Sequence, residues 1–412
     1  MAVRVPTRLR GALAMLSALG PGLITASAGN DAPGIATYSM AGSHYGYSFL
    51  WIVAWITVGS VTVQEMAARM GAVTGKGLTD LIRERFGLRM TVWVMLALVV
   101  ANLGTTAAEF AGVGASAELF GVSRYIAVPL SGLAVWLLVV KGSYKRVERV
   151  LLVLSLYAVA YIVSAVVLKP PMGEVARAAI VPTITLERGY ILSMLATVGT
   201  TLTPWAAVYM QASIADKGVT MREFAQSRLD VVVGAVIGNG VSACIIIAAA
   251  ATLFVRGIAV QGAEQAAMAL APVAGHWAET LFGVGLLGAS LLAASVLPLA
   301  TTYALCESFG WERGLDRSPG EAPLFYGLYA SFIVLSVLIV LIPGLPLFAL
   351  MWLSQVANAV LLPAILLLML ILVNDRRIMR THHNHRITNL IVGSVAVVIT
   401  LATLALFAGQ GV

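Results

Sequence analysis

Eleven stretches of roughly 20 mostly apolar residues recur along this chain, centred near residues 25, 57, 105, 132, 159, 202, 242, 288, 333, 362 and 398. A helix of that length crosses the hydrocarbon core of a bilayer, about 30 Å thick. Lipid offers no hydrogen bonds to a backbone, so a spanning helix must close its own. Composition agrees: 59% of the 412 residues are hydrophobic and 11% are charged, against roughly a quarter charged in a soluble domain. Too few polar side chains remain to cover a surface in water. That excludes an ordinary cytosolic enzyme, a nucleic-acid binder and a disordered protein. The expected fold class is therefore an all-α polytopic membrane protein. Cys244 and Cys306 both fall in apolar stretches and read as small hydrophobes, with no disulfide framework or thiolate metal site. The first stretch is too long for a cleavable signal peptide and lacks a small-residue cleavage site.

Charge placement sets the orientation. Arg4, Arg8 and Arg10 precede span 1, and Lys76, Arg83, Arg85 and Arg89 separate spans 2 and 3. Lys141, Lys145, Arg146 and Arg149 separate spans 4 and 5, and Lys217, Arg222 and Arg228 follow span 6. Arg313 and Arg317 follow span 8, and Arg376, Arg377, Arg380 and Arg386 follow span 10. With Arg69 these make 21 basic residues on one side, against Arg124, Lys169, Arg177, Arg188 and Arg256 on the other. The positive-inside rule makes the richer side cytoplasmic. The chain is then expected in the cell inner (plasma) membrane, with its N-terminus inside and Val412 outside. The net charge of +7 reflects this bias and not a nucleic-acid partner. The loop Thr381-His382-His383-Asn384-His385 reads as a solvated loop, having no nearby acidic or Cys partner in sequence for a metal.

Ionisable residues inside spans are costly and are functional candidates by default. Here they have one sign: Asp31, Glu65, Glu109 and Glu279, with no Lys or Arg deep in any span. Such a carboxylate either stays protonated or meets a mobile cation, which points to cation transport. Glu65 precedes Arg69 by one helical turn, the spacing of an ordinary ion pair. Glu279 has His276 three residues before it, near the start of its helix. Asp31 and Glu109 have no local partner.

Two spans carry breaks at mid-depth. Span 1 reads Gly29-Asn30-Asp31-Ala32-Pro33-Gly34, and span 6 reads Gly199-Thr200-Thr201-Leu202-Thr203-Pro204. Proline removes a helix hydrogen bond and flanking glycines make unwinding cheap. Interruptions in the first and sixth spans are the mark of a five-plus-five inverted repeat, where discontinuous helices meet at the midplane and their freed ends bind substrate. The expected organisation is a first five-helix repeat over 1–168, an extracellular loop over 169–189, a second repeat over 190–373, and a cytoplasmic loop with span 11 over 374–412.

These features together resemble the Nramp family of divalent-metal transporters, within the LeuT-fold group. The resemblance spans nearly the whole chain. It rests on Gly20-Pro21-Gly22, on Asp31 followed by Ala36-Thr37, and on Gln64 through Ala67-Ala68-Arg69-Met70-Gly71 to Val73-Thr74-Gly75-Lys76. Arg83-Glu84-Arg85-Phe86, Glu109, Gly285-Leu286-Leu287, Ser354-Gln355-Val356 and Asp375-Arg376-Arg377-Ile378-Met379 continue it. Three departures bear on function. The family's Asp-Pro-Gly-Asn is here Asp31-Ala32-Pro33-Gly34, its Met-Pro-His is Thr203-Pro204-Trp205, and its helix 3 aspartate is Thr106. These changes resemble the bacterial Nramp-related branch associated with magnesium.

The resemblance implies a metal site with Asp31 as the charged ligand. Ala28 and Thr200 are candidate carbonyl donors, Thr203 offers a hydroxyl, Asn30 and Gln355 are polar contacts, and Asn239 completes or gates the site. Glu109 and Trp205 are the proton or gating candidates. A thioether favours soft and borderline metals, whereas oxygen donors suit magnesium, calcium and manganese. Gly34 and Thr203 are smaller than the residues they replace and leave room for a partly hydrated ion. Loss of the family's histidine and aspartate implies weak or no proton coupling. The expected partners are the ion as cargo and the bilayer. No cofactor, nucleic acid or required protein partner is expected, and no enzyme motif is found. Two alternatives remain: a LeuT-fold carrier of amino acids or amines, for which Trp205 and Tyr209 would line the pocket, and a non-transporting metal sensor, which would need an attached effector domain.

Overall fold

The computed structural model describes residues 30–140, 158–315 and 317–408, and among them every regular element is a helix. The helices are α1 (Ala32–Tyr45), α2 (Leu50–Thr74), α3 (Leu78–Leu119), α4 (Arg124–Val140), α5 (Ala158–Val167), α6 (Met172–Ile180) and α7 (Arg188–Thr201). Next come α8 (Pro204–Asp216), α9 (Phe224–Thr252), α10 (Ala278–Phe309), α11 (Pro323–Val340), α12 (Leu347–Asn374) and α13 (Arg386–Ala408). Short helical turns fill the segment between α9 and α10. Among the described residues eight helical runs are long and apolar enough to cross a membrane, and α4 is a shorter apolar helix. The first half of span 1 and the basic loop before α5 lie outside the described residues.

Local chemistry explains the boundaries. α2 ends at Gly75 and α10 at Gly310, both left-handed with φ near 63° and 71°, a conformation glycine adopts without penalty. Gly87 has φ 79° and ψ 175°, so Leu78–Phe86 forms its own segment before the long part of α3. Span 6 is discontinuous, as its Thr-Pro sequence implies. α7 stops at Thr201, Leu202 and Thr203 are non-helical, and Pro204 occupies the first position of α8, where its missing N–H costs nothing. One departure concerns the loop expected over 169–189. It contains α6, a nine-residue helix that buries Val175 and packs along α2.

α3 is the central strut, lying along both α10 and α12, while α9 packs on α1 and α2. Small residues permit the closest approaches. A Cβ at Gly199 would fall 1.9 Å from the Gln355 carbonyl oxygen, and one at Gly42 would fall 2.6 Å from the Ile246 carbonyl oxygen. α7 thus meets α12, and α1 meets α9, backbone to backbone, the packing typical of membrane helices. Large apolar side chains such as Trp93, Leu130, Leu335, Leu390 and Leu401 project outward, as lipid contact requires. The polar side chains collect inside instead, around the start of α1 and the α7–α8 break.

Candidate metal site

Asp31 caps α1. Its extended backbone (φ −70°, ψ 177°) turns the side chain back, and Oδ1 accepts the Gly34 amide at 2.8 Å. The cap places a carboxylate at the positive end of the helix dipole. Asp31 is only 2% exposed and Glu109 is 0% exposed.

The two carboxyl groups interact with one another. Gly112 explains how. It lies one turn beyond Glu109 on α3, and a Cβ there would fall 2.4 Å from both Ala32 Cβ and Ser290 Oγ. Only glycine lets α1 and α10 close onto α3 at this level, and that closure brings Asp31 against Glu109. Neither Glu109 oxygen has a hydrogen-bond partner of normal geometry, and Ser290 Oγ has none. No basic side chain occurs between residues 90 and 123 or between 189 and 216. Two buried carboxyl groups without a basic partner among the described residues are balanced there by protons or by a cation.

The α7–α8 break borders the same region. Tyr38 of α1 lies within electrostatic reach of Asp31 and beside Thr200, Thr201 and Ser242. Its hydroxyl is 2.8 Å from Thr201 Oγ1, which also bonds the Thr197 carbonyl at 2.6 Å. Thr200 Oγ1 is buried with no hydrogen bond of normal geometry. Thr203 sits at the cap position of α8, yet its side chain makes no capping bond. The threonines therefore divide: Thr201 is tied to its helix and to Tyr38, Thr200 lies beside the Tyr38 hydroxyl without a hydrogen bond of normal geometry, and Thr203 makes no capping bond.

The amides divide in the same way. Asn30 donates to the Gly238 carbonyl at 3.0 Å and accepts from Ser242 at 3.2 Å, so its side chain anchors α1 to α9. Gln355 donates to Ser354 at 3.0 Å and accepts from Asn358 at 3.2 Å. Asn358 in turn reaches Thr105 of α3 at 3.0 Å. Asn239 Nδ2 is buried without a partner on α9, and Ala28 lies outside the described residues. Thr106 bonds its own helix at the Asn102 carbonyl, 2.7 Å away, the ordinary fate of a helical threonine.

The remaining candidates have plain structural surroundings. Glu65 lies 3.3 Å from Arg69 and 3.6 Å from Arg228. Glu279 and His276 are exposed at the start of α10. In the histidine loop, Arg69 donates to the His382 carbonyl and to Asn384 Oδ1, so the loop is pinned to α2. Among the described residues no three His, Cys, Asp or Glu side chains cluster to hold a metal. The sequence reading passed over Tyr38, Ser290, Gly112 and Asn358. Of these only Gly112 carried a signal, as a glycine one turn from a buried glutamate.

Comparison with known proteins adds an independent line. The family described as natural resistance-associated macrophage protein-like, Nramp, matches residues 22–409. The Yersinia enterocolitica divalent metal cation transporter MntH is 32% identical over 295 residues, covering 69% of this chain and 71% of that protein. Its Klebsiella pneumoniae counterpart is 29% identical over 294 residues, 69% of this chain and 70% of that protein. Among solved structures, the Eremococcus coleocola manganese transporter superposes with a TM-score of 0.74 at 20% identity, over 99% of this chain and 90% of that one. MhsT in complex with L-phenylalanine gives 0.63 at 16% identity, over 94% and 97%. At these identities the superpositions speak for the LeuT-like fold alone.

Proposed function

The chain belongs to the Nramp family, and from that premise we propose that it carries divalent metal ions, Mg2+ and Mn2+, inward by alternating access with weak or no proton coupling. The observation that carries this proposal is the buried Asp31–Glu109 carboxyl pair with no basic side chain beside it among the described residues. A divalent cation supplies the missing charge. Asp31 is its main ligand, fixed by the Gly34 amide. Thr200 and Thr203 contribute oxygen, directly or through the ion's own water, and the backbone carbonyls at Ala28 and Thr200 complete the proposed set. The side chains of Asn30 and Gln355 hold the surrounding helices in place, and Asn239 lies in the α9 wall with an amide to spare.

Hardness of the donors argues for the ion class. Thr203 stands where the family commonly has a thioether, and oxygen donors suit hard ions that shed water reluctantly. The family's histidine is here Trp205 and its helix 3 aspartate is Thr106, so the usual proton route lacks two titratable groups. An inward membrane potential supplies roughly 2.3 kcal/mol per charge per 100 mV, enough to draw in a divalent ion unaided. The bias of Lys and Arg toward the loops after α2, α8, α10 and α12 places those ends in the cytoplasm of a multi-pass protein.

The test is uptake into proteoliposomes of Mg2+, Mn2+ and Ca2+, each with a pH reporter inside. Entry of Mg2+ and Mn2+ without acidification, lost in Asp31→Ala, is the expected result. Acidification in fixed proportion to uptake would overturn the coupling proposal. Failure of every divalent ion to enter would overturn the choice of cargo and favour an organic substrate.

A further inference from the structure

Below the carboxyl pair, two buried side chains carry orphaned groups of opposite kind. Trp205 is 4% exposed and Asn102 is 3% exposed. The Trp205 indole N–H has no acceptor, and Asn102 Oδ1 has no donor. Both residues line one small cavity with Met95, Leu98, Thr301 and Ala304, about 10 Å³ in volume. That is about the space one water needs, and a buried water requires polar partners of this kind.

The orientation of the Asn102 amide follows from its neighbours. Thr301 Oγ1 donates to the Leu297 carbonyl at 2.8 Å. Its single proton is thereby committed, so toward Asn102 it acts as acceptor. Asn102 Nδ2 sits 2.8 Å from that oxygen and must be the donor. The carboxamide oxygen is left as the acceptor that Thr301 does not use. Asn102 lies seven residues before Glu109 on α3, about 10 Å further along the helix. The cavity therefore sits beneath the carboxyl pair, on the side of the α8 C-terminus.

A larger cavity of about 250 Å³ continues in that direction, lined by Tyr209, Ser213, Asp216, Lys217 and Tyr303. It shares Val208, Ala300 and Ala304 with the small one. The Trp205 ring thus stands at the narrow end of a vestibule that opens beside Asp216 and Lys217. Trp205 belongs to α8, whereas Asn102 and Thr301 belong to the packed pair α3 and α10.

We propose that one water bridges the Trp205 indole N–H to Asn102 Oδ1 and latches α8 to the α3–α10 pair, sealing the vestibule from the carboxyl pair. This deepens the carrier reading and rests on it for the meaning of the seal. The bridge itself is independent of which ion moves. Without the bridging water, closing the seal would bury an unsatisfied donor and an unsatisfied acceptor, and each such group is costly. With it, the closed arrangement is specified by hydrogen bonding as well as by the bulk of the indole.

The experiment is a double-mutant cycle read by thiol labelling. Thr200→Cys, in a Cys244→Ser, Cys306→Ala background, places one reporter thiol beyond the seal. A membrane-impermeant maleimide is applied to each face separately. Trp205→Phe removes the N–H and keeps a ring, and Asn102→Leu removes the acceptor. Each is expected to speed labelling about fivefold from the face bearing Asp216 and Lys217, with labelling from the other face unchanged. The double variant should label no faster than the faster single one. Multiplying effects, or single variants that label at the parent rate, would overturn the bridge. If Asn102→Leu does not reach the membrane, Asn102→Ala removes the same acceptor and carries the same expectations. Labelling needs no transport, so a failed bridge remains distinguishable from a wrong cargo, which the uptake assay reads.

Discussion

Asp31 and Glu65 are carboxylates of the same small bundle, both mostly buried, and they are treated in opposite ways. Glu65 sits between Arg69 and Arg228, and Arg69 extends the contact to the loop before α13 through His382 and Asn384. Asp31 has a backbone amide from Gly34 and a second carboxyl group in Glu109. A buried charge with its counter-charge supplied by the chain is a fastening between helices. A buried carboxyl group whose counter-charge the chain withholds either holds a proton or takes a cation. The difference lies in the partners: one carboxyl group is fastened between arginines, and the other meets a backbone amide and a second carboxyl group.

The most severe way to break the contrast is Asp31→Asn, which keeps the shape and removes the charge. Equilibrium binding of Mn2+ should weaken by about 100-fold, the scale of losing a charged contact worth about 3 kcal/mol. Thermal stability should hold or rise, because a buried charge is removed. Next comes Glu109→Gln. Uptake per folded molecule should fall about tenfold, equivalent to about 1.4 kcal/mol, while the internal pH trace stays flat. A variant that transports like the parent would remove Glu109 from the site.

Glu65→Gln should invert this pattern. Stability should drop by about 1–3 kcal/mol, as expected when one partner of a partly buried ion pair is removed. Uptake per folded molecule should stay within about twofold of the parent, because a substitution away from the site shifts energies there by about 0.5 kcal/mol or less. Arg228 is well exposed, with a side chain 63% accessible, so its share of the loss should be small and sensitive to salt. The mildest change is Thr200→Val, which deletes a hydroxyl that makes no hydrogen bond of normal geometry. Melting temperature should be unchanged or slightly higher, with uptake reduced about threefold, since one neutral oxygen contact is worth about 1 kcal/mol or less. Equal loss of stability in Thr200→Val and Glu65→Gln would erase the distinction between a free oxygen and a fastened one.

Much of the fold was legible because its causes are local. Apolar length marks the spans, and Thr203-Pro204 marks the break between α7 and α8, where backbone sterics act over a few residues. Asp31 could be told from Glu65 by its lack of a sequence neighbour of opposite sign, since Glu65 has Arg69 one turn away. α6 was passed over because its nine residues are far too short to cross a bilayer and lie in a stretch read as a loop between spans. Among the site candidates, sequence offered Asn30 and Gln355 as polar contacts and Asn239 as completing or gating the site, with nothing to say which amides are already bonded. Packing separates them: Asn30 is taken up by α9, Gln355 by Asn358, and the Asn239 amide is left unpaired.

The sequence by itself determined that this chain is a helical membrane protein, that Asp31 and Glu109 have no basic residue near them in the chain, and that span 6 breaks at Thr203-Pro204. Those properties follow from transfer of apolar residues into lipid and from the geometry of proline and glycine, both written residue by residue. Tertiary structure alone decided that Asp31 meets Glu109, that Gly112 is the point of closure, and that Trp205 and Asn102 line one cavity. Those pairings join residues far apart in the chain. They depend on which small side chains let helix backbones approach, and on which polar groups remain unsatisfied after the helices have packed.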